Sequence, residues 1–535
     1  MWQRNVLFVG LVGGAVVALG ANLIPPREPQ LLGRYDAGGY HTPEVESAVE
    51  RVNVAFRTLW QKEKLRPAES APDLTIARRL ALGLMGTVPS LEEIRQFEHL
   101  PSDERLAWWL DHILADRRCA DYLAERFARA CVGTEDGPFI FYRRHRLVSW
   151  LSDQFQHNRP YDEVVRDLIV SSGLWTDHAA TNFVTVTVQP DNQNQPDPVR
   201  LAGRVTRAFL GLRLDCAQCH NHPYAAWKQA DFQALSAFFA QTHLGFTGIH
   251  DGSGEYEPED RKTGKKKVVA PRVPFAADLL PAAGSRREQL AAWVTDPRNP
   301  YFARAVVNRV WALMLGRPLI EPVDNLESST AGRDMLQVLA DDFLSHNFDL
   351  QRLIRVISAC EVFRMDSAAD GDATEEHENA WAVFPMTRLR PEQVVGSLLQ
   401  AASVRTIDSE SHLLVRLARF GQQNEFMQRY GDTGEDEFGG HGGTIPQRLL
   451  LMNGGLIEEK TKENLFNAAT RIAWQAQDDG HAIETAYLAI LTRRPTPEEA
   501  AHFRQALADE RLGRPQRLED LYWALLNATE FSWNH

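Results

Sequence analysis

Apolar residues recur along most of this chain every three or four positions, the repeat of a helix with one buried face. Leu106, Trp109, Leu110 and Ile113 keep that spacing with charges between them, and the segments 116–131, 138–157 and 161–171 repeat it. Pro198 opens a helix carrying Val199, Ala202, Val205, Phe209 and Leu212, and another leaves Lys228 with Phe232, Leu235, Phe238 and Phe239. Further on, helices are predicted over Tyr301 to Leu315, 332–345, 349–360, 391–403, 446–475, 481–491, 497–509 and 516–528. Start signals agree with the period. Thr42-Pro43-Glu44 offers an N-cap followed by proline at the first helical position. Ser90-Leu91-Glu92-Glu93 and Thr496-Pro497-Glu498-Glu499 are capping boxes.

Two short stretches read differently. Val184, Val186 and Val188 alternate with Thr185 and Thr187, which predicts a strand, and Lys267–Ala270 predicts another. From Gly245 to about Ser285 the periodicity stops and glycine, proline and charge take over. A chain of 535 residues is too long for one core. The expectation is a mainly α protein of two helical domains, 42–245 and 286–535, with at most minor β. Residues 246–285 form the irregular linker, which a protease should cut to leave two folded pieces.

Composition, 44% hydrophobic and 24% charged, excludes wholesale disorder. A net charge of −13 argues against a nucleic-acid partner, because phosphate binding needs a basic surface. The basic run Lys265 to Lys267, with Arg261 and Lys262, reads as a solvated loop. At the N-terminus, Arg4 precedes an apolar stretch from Val6 to Ile24. Residues 1–24 therefore read as a signal peptide, with a small-x-small cleavage site at Ala18-Leu19-Gly20, or as a membrane anchor through residues 6–24. Residues 25–41 read as a tether. Either reading puts the body in the periplasm or outside the cell, with membrane contact only through that segment.

The densest candidate chemistry is Cys216-Ala217-Gln218-Cys219-His220-Asn221-His222-Pro223. Cys-x-x-Cys-His is the attachment signature of c-type haem. Two thiols one helical turn apart can add to the two vinyl groups of one porphyrin, and the adjacent imidazole can take the iron as proximal ligand. Haem c on Cys216 and Cys219, with His220 on the iron, is the first reading. Zinc held by Cys216, Cys219 and His222 with a fourth ligand from elsewhere is an alternative, as is a local disulfide or structural turn. Export supports haem, since covalent attachment occurs beyond the inner membrane. With Cys119, Cys131 and Cys360 the cysteine count is odd and the spacing irregular, which is no disulfide framework. Cys119 and Cys131, on apolar helical stretches, read as buried free thiols, a disulfide between them being the alternative.

The residues from Ala77 to Phe97, from Phe209 to Tyr224 and from Trp227 to Phe232 resemble a cytochrome-c-type domain of unknown function abundant in planctomycetes. The segments Asn299 to Trp311, Leu319 to Asp324, Ile445 to Gly454 and Asn527 to Phe531 resemble the companion domain that usually follows it. Together the resemblance covers about 45 to 535. It implies a secreted protein with a haem c site and no established reaction. Many members carry an additional N-terminal cytochrome domain with its own Cys-x-x-Cys-His; this chain lacks that motif. The domain is often encoded beside a secreted sulfatase-like family, which hints at extracellular polymer breakdown.

Met452, Met427, His441 and His178 are candidates for a distal iron ligand, with an open sixth position as the alternative. Phe438 to Gly443, after the acidic run Asp432 to Glu437, reads as a mobile surface loop, the alternative being a ligand or calcium loop. Arg304, Asn308, Arg309 and Trp311 share a helix, either as a polar binding face or as a buried brace. No Gly-x-Ser-x-Gly, His-Glu-x-x-His or P-loop is present. A secreted haem protein, passing electrons to a redox partner protein or acting as a haem oxidoreductase, is the leading class. A non-haem binding or scaffold protein is the alternative.

Overall fold

A computed structural model describes residues 41–535, except 135–136, 138–139, 190–192, 222–225, 260–263, 369–372, 409–410, 412, 432–437, 439–442 and 509–510. The described residues are mainly helical, with two small antiparallel sheets. The N-terminal apolar segment and most of the tether lie outside them, as do His441 and most of the 432–443 loop. No helix among the described residues is long and apolar enough to cross a membrane.

Local chemistry sets many of the helix ends. Thr42 Oγ1 accepts from Val45 N at 3.2 Å and starts Pro43–Glu63. Ser90 and Glu93 close a capping box on Leu91–His99, and Thr496 and Glu499 close another on Pro497–Leu507. Ser285-Arg286-Arg287-Glu288 caps Arg286–Thr295, so the irregular stretch ends on a designed stop. The predicted helix over 446–475 is three helices, Ile445–Asn453, Gly455–Thr461 and Ala468–Gln475. Gly454, with extended backbone, breaks the first from the second. Asn467 breaks the second from the third by donating to Glu459 O and Lys462 O. The 138–157 segment becomes helical only at Arg144.

Neither predicted strand forms. Asn182–Thr185 is a short helix continuing into a turn through Val188. Val184 to Val188 are all buried, so alternation has no solvent face to serve. Thr187 Oγ1 donates to Val184 O at 2.8 Å, a bond local to the turn. Lys267–Ala270 makes one isolated bridge, Val269 with Tyr256, and Lys266 just before it makes another with Glu259. The strands that do form are Thr242–Gly245 with Gly248–Asp251, and Thr387–Arg388 with Trp533–Asn534 near the C-terminus.

Packing does not divide at 246–285. One apolar cluster runs from Val45 to Phe384 and includes Trp293, Trp311 and Ile357 from the second segment. The other joins Leu82, Val88, Leu91 and Ile94 to residues from Leu389 to Phe531. Helix Asp73–Met85 touches both clusters and is buried from Ile76 to Met85, as expected of a helix apolar nearly all round. At Gly83 a Cβ would sit 3.0 Å from Met314 Cα, so glycine lets helix Phe302–Leu315 pack against it backbone to backbone. Two arginines on this helix serve distant carbonyls. Arg78 reaches Ile490 O, while Arg79 reaches Phe363 O, Met365 O and His535 O. A chain cut once within 246–285 is therefore expected to elute as one particle in size-exclusion chromatography, with both fragments in the peak. Separation of the two fragments without denaturant would show that the two segments do not share a core.

Candidate functional site

The Cys216 motif is presented by a helix that ends by design. Asp197 Oδ1 accepts from Val199 N and Arg200 N, and Pro198 occupies the first turn of Pro198–Leu210. Gly211 ends it with φ +60°, and a Cβ there would lie 3.0 Å from Leu326 Cγ. Both the left-handed backbone and the close approach call for glycine. Leu326 N donates to Gly211 O at 2.8 Å. The chain then enters the short 3-10 helix Leu214–Ala217. Leu214 and Ala217 point into the core, whereas Cys216, Cys219 and His220 are exposed.

Charges pin the turn to the second segment. Arg207 pairs with Asp215 at 2.8 Å, and Arg213 pairs with Asp324 at 2.7 Å. Gln229 donates to Gln218 O and Cys219 O, both at 3.2 Å, and Asn221 Oδ1 accepts from Gln229 N. Trp227 Nε1 and Tyr301 OH donate to the two oxygens of Glu327, at 3.0 and 2.8 Å. The site thus lies on a seam between the two segments. Its second-segment partners were invisible to local reading, although Asp324 closes one of the resemblance segments.

Cys216 and Cys219 are unbonded thiols. His220 Nδ1 lies 2.6 Å from Asn221 O. A carbonyl can only accept, so Nδ1 carries the proton and Nε2 keeps its lone pair, as an axial iron ligand requires. Two open thiols and an adjacent imidazole in that tautomer fit the chemistry of haem c. The apolar faces of the two helices flanking the motif are turned into the core: Phe209, Leu212, Phe232, Leu235, Phe238 and Phe239 are at most 1% exposed. Cys216, Cys219 and His220 do not gather their ligand atoms about one point. His222, on which the zinc reading depends, lies outside the described residues.

The other candidates fall elsewhere. Met427 packs on the second apolar cluster, and Met452 O accepts from Trp523 in the same region, so no described contact brings either to His220. His178 is exposed and packs over Gly173. Asn308 and Trp311 are fully buried and Arg309 nearly so. Asn308 exchanges two hydrogen bonds with the backbone of Ile320, which makes that helix face a brace. Arg390 Cζ lies over Phe438, 5.5 Å from the phenyl ring centroid. Cys119, Cys131 and Cys360 are buried and unbonded, and burial pushes the first two thiols up to about 12.

Sequence reading missed one cluster. Glu93, His112 and Asp116 bring ligand-type atoms within 4.8 Å of one another. Arg118 occupies the cation position, bonded to Glu93 and, at 2.7 Å, to Asp116. Burial opposes ionisation of Glu93, yet Arg118 and His112 hold its carboxyl down to about 2. The group is a buried ion pair with its own counter-ion.

Two family models match the chain in succession. Residues 51–244 match PSCyt2, a protein of unknown function (DUF1549), and residues 286–436 match PSD1, a protein of unknown function (DUF1553). The chain thus carries a PSCyt2 domain followed by a PSD1 domain, in the order the resemblance implies. No curated protein and no solved structure matches it.

Proposed function

We propose that this is an extracytoplasmic c-type haem protein, active in electron transfer to a partner protein or as a haem oxidoreductase. Cys216 and Cys219 would hold the porphyrin through thioethers, and His220 would supply the imidazole ligand to its iron. The observation that carries this reading is the pair of exposed, unbonded thiols beside an imidazole whose Nδ1 is bonded to a carbonyl. When bound, haem supplies a one-electron iron couple. Arg207, Arg213 and Gln229 fasten the turn that carries the thiols and the imidazole. An exposed site suits a redox partner that must approach closely. Export rests on Arg4 and the apolar residues 6–24.

The second reading, a non-haem scaffold with a structural Cys/His cluster, is favoured by the apolar faces of the flanking helices, which are packed into the core rather than turned to the motif's exposed side. Thiol counting separates them. Protein made without haem maturation should show two fast-reacting thiols under native conditions, Cys216 and Cys219, and three more only in denaturant. After maturation the fast class should vanish while the three buried thiols remain. A fast class unchanged by maturation would sink the haem reading.

A further inference from the structure

The stretch 242–251, within and beside the predicted linker, is an antiparallel hairpin in which His243 and His250 are directly opposed. Its sequence is nearly a palindrome, His-Leu-Gly-Phe-Thr-Gly-Ile-His, and that symmetry is the signal a periodicity search passes over. Residues paired across two strands put their side chains on one face. The two imidazoles are accordingly neighbours, with ring centroids 6.0 Å apart.

We infer that His243 and His250 form a chelating site for a divalent transition-metal ion that prefers imidazole, such as Cu²⁺, Zn²⁺ or Ni²⁺. The spacing is right. With a nitrogen–metal bond of about 2.0–2.1 Å, a ring centroid lies roughly 3.2 Å from the ion. Two rings on one ion are then about 5.2 Å apart at a tetrahedral angle and about 6.4 Å apart in line, which brackets the observed separation. The tautomers are right as well. His243 Nε2 lies 3.0 Å from Ser253 O, and His250 Nδ1 lies 3.2 Å from Gly248 O. Each carbonyl accepts one N–H, which leaves His243 Nδ1 and His250 Nε2 with their lone pairs. A backbone carbonyl behind a ligating imidazole is the usual supporting contact of a metal site.

Space for the rings is built in. A Cβ at Gly245 would lie 2.8 Å from His250 Cε1, and one at Gly252 would lie 2.9 Å from His243 Cδ2. Any side chain at either position would displace an imidazole. The hairpin itself is fixed. Ile249 is buried and exchanges two backbone hydrogen bonds with Gly173, Gln195 bonds both backbone groups of Leu244, and Asp251 pairs with Arg287 at 2.7 Å. Two protein ligands on a rigid, solvent-facing hairpin leave the ion's remaining positions open to water or to a third ligand from solution. This site is independent of Cys216 and does not require haem.

The test uses Cu²⁺ and the full chain carrying Cys216→Ser, Cys219→Ser, His220→Gln and His222→Gln, which removes the competing cluster. One site with two nitrogen donors in its electron paramagnetic resonance spectrum is expected. H243Q and H250Q should each weaken it tenfold or more, and the loss in the double variant should fall well short of the two single losses combined, because either substitution alone already breaks the chelate. His178→Ala should leave it unchanged. His250 is exposed and His243 half-buried on the same hairpin face, so circular dichroism should show all variants folded. Single variants within twofold of the parent, or losses that add in the double variant, would overturn the chelate.

Discussion

Changing Cys216 and Cys219 together to alanine is expected to abolish covalent haem in protein exported by a host with c-type maturation machinery. Haem staining after denaturing electrophoresis should be absent, while the amount of folded protein stays close to that of the parent. Both side chains face solvent, and the turn is held by Leu214, Ala217 and the Arg213–Asp324 pair rather than by sulfur. Cys216→Ala alone should weaken attachment, since one thioether remains. His220→Ala should keep the stain and change the iron spectrum. His222→Ala is the control: haem predicts a mild effect, and zinc predicts one as large as loss of a cysteine.

The largest expected loss of stability is at Arg79. Its side chain is fully buried, stacks over Phe384 at 3.6 Å and donates to Phe363 O, Met365 O and His535 O. Burial lowers its pKa to about 9, which still leaves it charged at neutral pH. Arg79→Ala strands two buried carbonyls, Phe363 O and Met365 O, removes the partner of the half-buried His535 O, and opens a cavity where the first helices, the 363–367 turn and the C-terminus meet. Each stranded group costs roughly 1–3 kcal/mol and the cavity adds to it, so a loss of about 3 kcal/mol is expected. Arg79→Lys should recover only part of it, because an ammonium cannot match the guanidinium fork. The urea midpoint, read at unchanged slope, measures both. A loss below about 1 kcal/mol for the alanine variant would contradict this account of the seam.

Much of the helical architecture was legible because its causes are local. Thr42, Ser90 and Thr496 act within one turn of themselves, and the 3.6-residue period of Leu350, Leu353, Ile354 and Ile357 reports directly on burial. Val184 to Val188 misled because alternation marks a strand only when one face meets water, and here none does. The hairpin was missed because its glycines look like loop residues unless the paired histidines are noticed. For the site, the thiols and imidazole were legible as a motif. Their fastening was not, since Asp324 and Glu327 lie about a hundred residues away and meet the motif only after the two segments share a core.

The central claim concerns what Cys216, Cys219 and His220 hold. The most direct measurement is the absorbance spectrum and metal content of the full chain, exported with c-type maturation and purified without added metal. The account predicts a Soret band, about one iron per chain, and haem that stays with the polypeptide through denaturing electrophoresis. A colourless protein with no covalent haem and one equivalent of zinc lost on His222→Ala would contradict it.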